Sequence, residues 1–359
     1  MTLATGSTTG STSVRRVTHA MSQFVLFTVL AITVLSVLLV VTGHAPGPAL
    51  TALASGAFGS GYAISSSIVR AIPLALSGLA VALAFRAGLL NIGAEGQLLI
   101  GACAATATGV WLSQAPGLVA IPAMLTAATV AGAAWAFVAA ELRRRFGVLE
   151  VISTIMLNFI AIAITGWIVR GPLQEPTHVN PQSASLPLSQ HLPVLISGTR
   201  IHVGALFVLL LAFGLWWWLR QSASGFRLRV VGANPFAAAS AGQISVARTA
   251  LAAFLLSGAL AGLAGGVELS GVTYALYENF SPGYGYTAIA VALLARLNPV
   301  GVVGTALLFG ALEAGASAMQ RDAAVPSVVV SVVEASLILL VVAADRWQLR
   351  SAQRAEARA

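Results

Sequence analysis

No lysine occurs anywhere in the 359 residues, so all nineteen basic side chains are arginine. A phosphate-gripping loop of the Walker type needs its lysine on the β- and γ-phosphates, and Schiff-base catalysis needs one for its carbonyl. Neither chemistry resides in this polypeptide. Cysteine is almost as scarce. Cys103 stands alone in an apolar run, which excludes an internal disulfide and thiolate metal ligation and reads as helix packing. Charge of either sign is rare, at 8% of residues against 58% hydrophobic ones, and the mean hydropathy is +0.89. That composition excludes an ordinary soluble domain and a disordered chain alike, leaving a polytopic membrane protein. No pair of carboxylates, no His/Cys cluster and no GxSxG elbow stands out, and His19, His44, His178, His191 and His202 are dispersed. An enzyme reading has little to build on. The net charge of +8 comes from arginines scattered at the ends of apolar segments, without the aromatic-interleaved patch that nucleic-acid binding requires.

What the chain does have is long apolar runs. The first, residues 24–42, follows a Ser/Thr/Gly-rich stretch within 1–20, read as a disordered cytoplasmic N-terminus, and the pair Arg15 and Arg16. At nineteen residues it exceeds a secretory h-region of about 7 to 15 and meets the roughly 20 residues of a membrane span. Further runs occupy 71–85, 97–112, 117–140, 151–169, 201–219, 249–266, 284–295, 300–319 and 327–344. The expected fold is therefore all-α, with about ten transmembrane helices in a domain spanning 21–345 and a cytoplasmic tail at 346–359. The run at 284–295 is short enough to be a half-helix or a re-entrant segment. With the N-terminus inside, fifteen arginines fall on inner loops and four (Arg70, Arg170, Arg200 and Arg321) on outer ones. This positive-inside bias places both termini in the cytoplasm. Residues 43–67, rich in Gly, Pro and Ser, read as an external loop with an interfacial turn, and 170–200 as a second external loop. Residues 220–248 read as a cytoplasmic loop, with a short helix at 235–241 opened by Pro235 and closed near Gly242.

Two polar breaks interrupt the apolar pattern. The sequence NIGAEGQ at 91–97 puts an amide, a carboxylate and two glycines between runs of membrane character. Non-helical backbone at membrane depth is tolerated only inside protein or beside a water-filled cavity. An ionisable residue such as Glu95 there is unfavourable by roughly 2.5 to 3.5 kcal/mol on insertion scales. A second break, RLNP at 296–299, hints at an internal repeat. Asn91, Glu95 and Gln97 are candidates to line a substrate path, with Gly93 and Gly96 letting the backbone turn. The alternative is structural, with Glu95 paired to Arg86 or capping the N-terminus of the next helix. Asn158 can touch substrate or bond a neighbouring helix. Glu268, Glu278, Tyr274, Tyr277, Phe280, Tyr284 and Tyr286 cluster before and at the 284–295 run, where they can stack on a base or sugar or form an interfacial belt. Glu313 and Glu334, each alone within an apolar run, suit a proton relay or an interhelical bond, and Arg143, Arg144 and Arg145 an inner rim facing anionic lipid headgroups.

The stretches FRAGLLNIGAEGQLLIGA (85–102), EVISTIMLNFIA (150–161), VGANPFAAASAG (231–242), SGALAGLAGG (257–266) and SPGYGYTAIAVALL (281–294) resemble the permease subunits of ATP-binding-cassette importers of the ribose and branched-chain amino acid type. Within that family the likeness is greatest to nucleoside importers. The resemblance implies a permease in the inner cell membrane that pairs with a second, related permease and with cytoplasmic ATPases, which bind the ATP and Mg²⁺ and leave this chain without a cofactor. It implies an external lipoprotein that delivers a nucleoside, and membrane lipid as surroundings. It further implies that Gly232, Asn234, Pro235, Ala238 and Gly242 belong to the loop that docks on the ATPase. One departure from the family pattern is Gly242-Gln243-Ile244-Ser245, where an apolar residue is expected directly after the glycine. The runner-up readings are a monosaccharide such as ribose as cargo, and an ion-coupled secondary carrier using Glu95, Glu313 and Glu334.

Overall fold

The run 71–85 is the buried half of a longer helix, which the Ser/Gly-rich residues before it extend rather than interrupt. In the computed structural model, which describes residues 32–240 and 244–326 with positions 328, 329, 332, 335, 336 and 339, this helix is α3 (Gly61–Arg86). Ser60 caps it by accepting from the Ala63 amide at 3.1 Å. Ser65 and Ser67 return their hydroxyls to the carbonyls of Tyr62 (2.8 Å) and Ala63 (3.1 Å). Serine that satisfies its own backbone in this way sits comfortably in an apolar helix. The external loop expected over 43–67 is thus corrected: α2 (Pro46–Phe58) fills most of it.

Before these lies α1 (Ile32–Val41). After α3 come α4 (Ala94–Trp111), α5 (Gly117–Phe146), α6 (Glu150–Arg170), α7 (Gly204–Gln221), α8 (Ala223–Ala233), α9 (Pro235–Ser240), α10 (Val246–Glu268), α11 (Tyr284–Leu294) and α12 (Pro299–Asp322). A π-turn, Leu269–Thr273, prolongs α10. The described residues are all-helical apart from isolated bridges and connections. Six helices, α3, α5, α6, α7, α10 and α12, are long and apolar enough to cross a membrane, and α11 is a shorter apolar helix. Every expected run from 71–85 to 300–319 coincides with a helix. The runs 24–42 and 327–344, the N-terminal stretch 1–20, the tail 346–359, Gly242 and Glu334 lie wholly or partly outside the described residues.

The described residues form two compact units, Ser55–Gly315 and those that fall within 1–54 and 316–359. In the second, Leu35, Leu39 and Ala49 pack with Ala316, Met319 and Val325. In the first, α10 lies against α3, α4 and α5, while α11 packs on α3 and α4. Close approach rests on small residues. Gly258, Gly262 and Gly266 recur every fourth position along α10 and meet Ala128, Gly132 and Ala136 at the same spacing on α5; a Cβ on Gly262 would stand 2.8 Å from the Gly132 Cα. Lipid tails are as apolar as leucine, so helices in a bilayer associate through such backbone-close packing rather than through a hydrophobic driving force.

The connection between α6 and α7 is ordered by the helix ends that it covers. Its Gln190 donates to the carbonyls of Gly109 (3.0 Å) and Leu112 (2.9 Å) at the end of α4. Backbone bonds join Leu192 to Ser270 (2.8 Å), Leu186 to Tyr274 (2.7 Å) and Ser183 to Leu276 (2.7 Å), and His191 stacks on Tyr274 with ring centroids 3.7 Å apart. His202 is fully buried against Gly204 and Gly271. Burial, reinforced by the Arg200 charge, holds its imidazole down at about 4, against 6.5 ordinarily. Between those values the unfolded connection binds more protons than the folded one, so its stability is full above about pH 6.5 and falls as pH drops toward 4. Limited proteolysis of this connection should accelerate over that window, and a His202→Gln variant should lose the dependence. A cleavage rate that stays flat across the window in the native chain would remove His202 as its cause.

Candidate functional site

Helix α3 does not run into α4. Gly88, at φ +76°, ends it, with the Leu89 amide reaching the Ala84 carbonyl (3.0 Å) and the Gly88 amide reaching Phe85 (3.0 Å), the paired bonds of a Schellman stop. The residues between the two helices are buried nonetheless, and their backbone must find partners without water. Asn91 within the break and Asn158 from α6 supply them.

Asn91, fully buried, pairs with Gln97 in both directions: its amide nitrogen donates to the Gln97 oxygen (3.0 Å), and its own oxygen accepts from Gln97 (3.1 Å) and from the Gly93 amide (2.9 Å). It also donates to Ser257 on α10 (2.8 Å), whose hydroxyl continues to the Ala80 carbonyl on α3 (2.7 Å). Asn158, from α6, accepts from the Gly96 amide (2.8 Å) and donates to the Ile92 carbonyl (3.0 Å) and the Tyr286 hydroxyl (3.4 Å). One amide therefore satisfies both an orphan donor of the first turn of α4 and a carbonyl of the break. Glu95 accepts from the Gly285 amide at 2.7 Å and from Ser281. That places a carboxylate at the N-terminus of α11, where the helix dipole favours it. The glycines permit the approach, since a Cβ on Gly96 would lie 2.8 Å from the Asn158 oxygen and 3.1 Å from its Cα.

Four of the five proposed path residues, Asn91, Glu95, Gln97 and Asn158, thus converge on one buried network, with 0–3% of each exposed. Glu95 caps α11 rather than pairing with Arg86. Tyr284 stands apart from it, bonding Glu268, itself 4% exposed. The charges of Arg70 and Arg200 act on Glu268, and Arg70 lies 4.0 Å from Glu313 on α12. Glu278 forms a surface pair with Arg170 (2.6 Å). Ser257 and Gly285 were not singled out in the sequence; Ser257 opens the stretch SGALAGLAGG, and a serine one residue before a glycine ladder is the signal that could have found it.

The second feature is α8–α9. Asn234 caps α9 by accepting from the Ala237 amide at 3.0 Å, and Pro235 occupies the first helical position, where its missing N–H costs nothing. Ala238 is fully buried, whereas Phe236, which sequence reading passed over, is 84% exposed. Arg220 and Arg229 lie close enough to Arg86 for their charges to act on it.

Residues 63–342 match the model of the permease component of branched-chain amino acid transport systems. The chain is 40% identical to the guanosine ABC transporter permease protein NupP of Bacillus subtilis, over 91% of this chain and 94% of that one. It is 38% identical to the glucose ABC transporter permease protein TsgB13 of Haloferax volcanii, over 80% and 77%. It is 30% identical to the guanosine permease NupQ, also of Bacillus subtilis, over 69% and 79%. No solved structure matches. A buried polar break among membrane-length helices, an ordered loop with an exposed aromatic, and similarity along nearly the whole chain lead to one assignment: this protein is a multi-pass membrane permease of the branched-chain amino acid transport system permease family.

Proposed function

We propose that the chain is one of two related permeases in an importer that moves nucleosides across the cytoplasmic membrane by alternating access, driven by partner ATPases and fed by an external lipoprotein. The observation that carries the cargo class is the similarity to a guanosine permease across nine-tenths of both chains. That Bacillus subtilis has two guanosine permeases, both similar to this chain, supports a second permease as partner. The similarity to a glucose permease favours a monosaccharide as the second reading. Helices α8 and α9 form the ATPase-facing loop in this scheme, with Phe236 as its apolar anchor and the arginines around it marking the cytoplasmic side.

Asn91, Glu95, Gln97, Asn158 and Tyr284 belong to the substrate path, and Gly93 and Gly96 to its backbone break. In the conformation described here the first four already have partners: Asn91 and Gln97 bond each other, Glu95 bonds Gly285 and Ser281, and Asn158 bonds Gly96, Ile92 and Tyr286. Substrate therefore meets them only when the break opens, and their bonds pass to the hydroxyls and base edges of a neutral ligand. ATP supplies the differential stabilisation of the two states that any such shift requires.

Uptake of radiolabelled guanosine, uridine, ribose and glucose, with the ATPase active or inactivated, tests the scheme. Nucleoside uptake that needs both chains supports it. Sugar uptake moves the cargo to the second reading, and uptake indifferent to the ATPase overturns the importer. Phe236→Ala should weaken ATPase association by roughly thirtyfold, the scale of an exposed aromatic anchor, without changing the melting temperature of the permease. Ala238→Phe should displace α9 from α8 and α10 and separate ATP hydrolysis from transport; full coupling in both variants would remove the docking role.

A further inference from the structure

The polar break and the α8–α9 segment meet through two glycines. A Cβ on Gly232 would overlap the Arg86 carbonyl oxygen and stand 2.8 Å from the Arg86 carbonyl carbon and 3.0 Å from that of Ala87; one on Gly88 would stand 3.3 Å from the Gly232 Cα. Backbone sits directly on backbone, with no side chain between them to yield. Gly232 is the penultimate residue of α8, two positions before the Asn234 cap of α9. On the other side, Gly88 is three positions before Asn91, which holds Gln97 and Ser257.

We propose that Gly232 and Gly88 are positioning residues for transport: a displacement of α9 passes through their contact into residues 87–97 and shifts the bonds that Asn91, Glu95 and Asn158 make there. The inference rests on α8–α9 being the ATPase-facing loop. A contact between two main chains is stiff, because neither side can rotate a rotamer to absorb movement. The element it pushes has discrete alternatives, since each buried amide in the break must trade one complete set of partners for another. A two-state element biased from both ends is the physical requirement for coupling. Steric need alone accounts for Gly232, but not for why the crowded partner is the one turn that leads into the polar break.

The test uses the full chain with its partner permease, ATPase and binding protein, reconstituted in vesicles. Gly232→Ala inserts a methyl into the contact, and Gly88→Asn adds a side chain at a left-handed position that asparagine tolerates. Gly214→Ala, on α7 where a Cβ meets open space, is the control. Transport per ATP should fall roughly tenfold in both contact variants, a usual size for coupling between sites, with basal ATP hydrolysis kept in Gly88→Asn and transport unchanged in Gly214→Ala. Should a contact variant fail to assemble, hydrogen exchange on the unaltered complex decides: ATP should change protection at 88–97 together with 230–240. Undiminished transport per ATP in both contact variants, or exchange that changes at 230–240 and not at 88–97, overturns the proposal. Its failure is distinct from failure of the docking role, which Phe236→Ala and Ala238→Phe test separately.

Discussion

Gly262→Leu is expected to abolish the folded permease. The Cβ of any residue at 262 would overlap the Ala128 carbonyl oxygen of α5 and stand 2.8 Å from the Gly132 Cα, and both are backbone atoms. Relief requires moving whole helices. Gly101 of α4 also lies against Gly262, since a Cβ there would stand 2.5 Å from the Gly262 Cα, so separating α5 from α10 disturbs the α4 contact too. Overpacking ordinarily costs about 1 to 3 kcal/mol; a four-carbon side chain wedged between three helices belongs at the top of that range or beyond it. The expected observation is loss of monodisperse protein after detergent extraction, with Gly262→Ala retained at lower melting temperature. A leucine variant that melts like the native chain would show that α4, α5 and α10 do not cross here.

Glu95→Ala is expected to lower transport by roughly tenfold or more, as removal of a coupling element does, while most of the protein still folds. Two bonds disappear, those from Gly285 and Ser281, and the first turn of α11 loses its acceptor. A hydrogen bond contributes about 0.5 to 1.5 kcal/mol net, so a drop in melting temperature should accompany the change. Glu95→Gln separates the two roles, because an amide oxygen still accepts from Gly285 but carries no charge. Folded, active Glu95→Gln would make Glu95 a cap that positions α11; folded but inactive Glu95→Gln would assign the charge itself to the transport cycle. Normal transport by the alanine variant would remove Glu95 from the path.

Much of this architecture was legible before any coordinates. The apolar runs located eight helices, six of them long and apolar enough to cross a membrane, because a bilayer demands about 20 apolar residues wherever a helix crosses it. The polar insert at 91–97 located the break, because charge and glycine are too costly there to be incidental. Pro235 announced α9, because its fixed φ and missing N–H suit the first position of a helix; the Asn234 cap came from the structure. Residues 43–67 misled for a related reason. Glycine, proline and serine mark turns in water, but in an apolar setting serine satisfies its own helix, and α2 and the start of α3 form where a loop was expected.

By itself, then, the sequence determined what depends on local composition: a lysine-free, membrane-embedded helical chain with one polar break and one short loop helix. Only the tertiary structure decided what depends on which helices meet. It paired Asn91 with Ser257 across 166 positions and Glu95 with Gly285 across 190, and it set Gly232 on Arg86 and Ala87. Buried amides and carboxylates must be satisfied by whatever lies within about 3 Å, and that neighbour is fixed by helix packing, which the order of residues along the chain does not display.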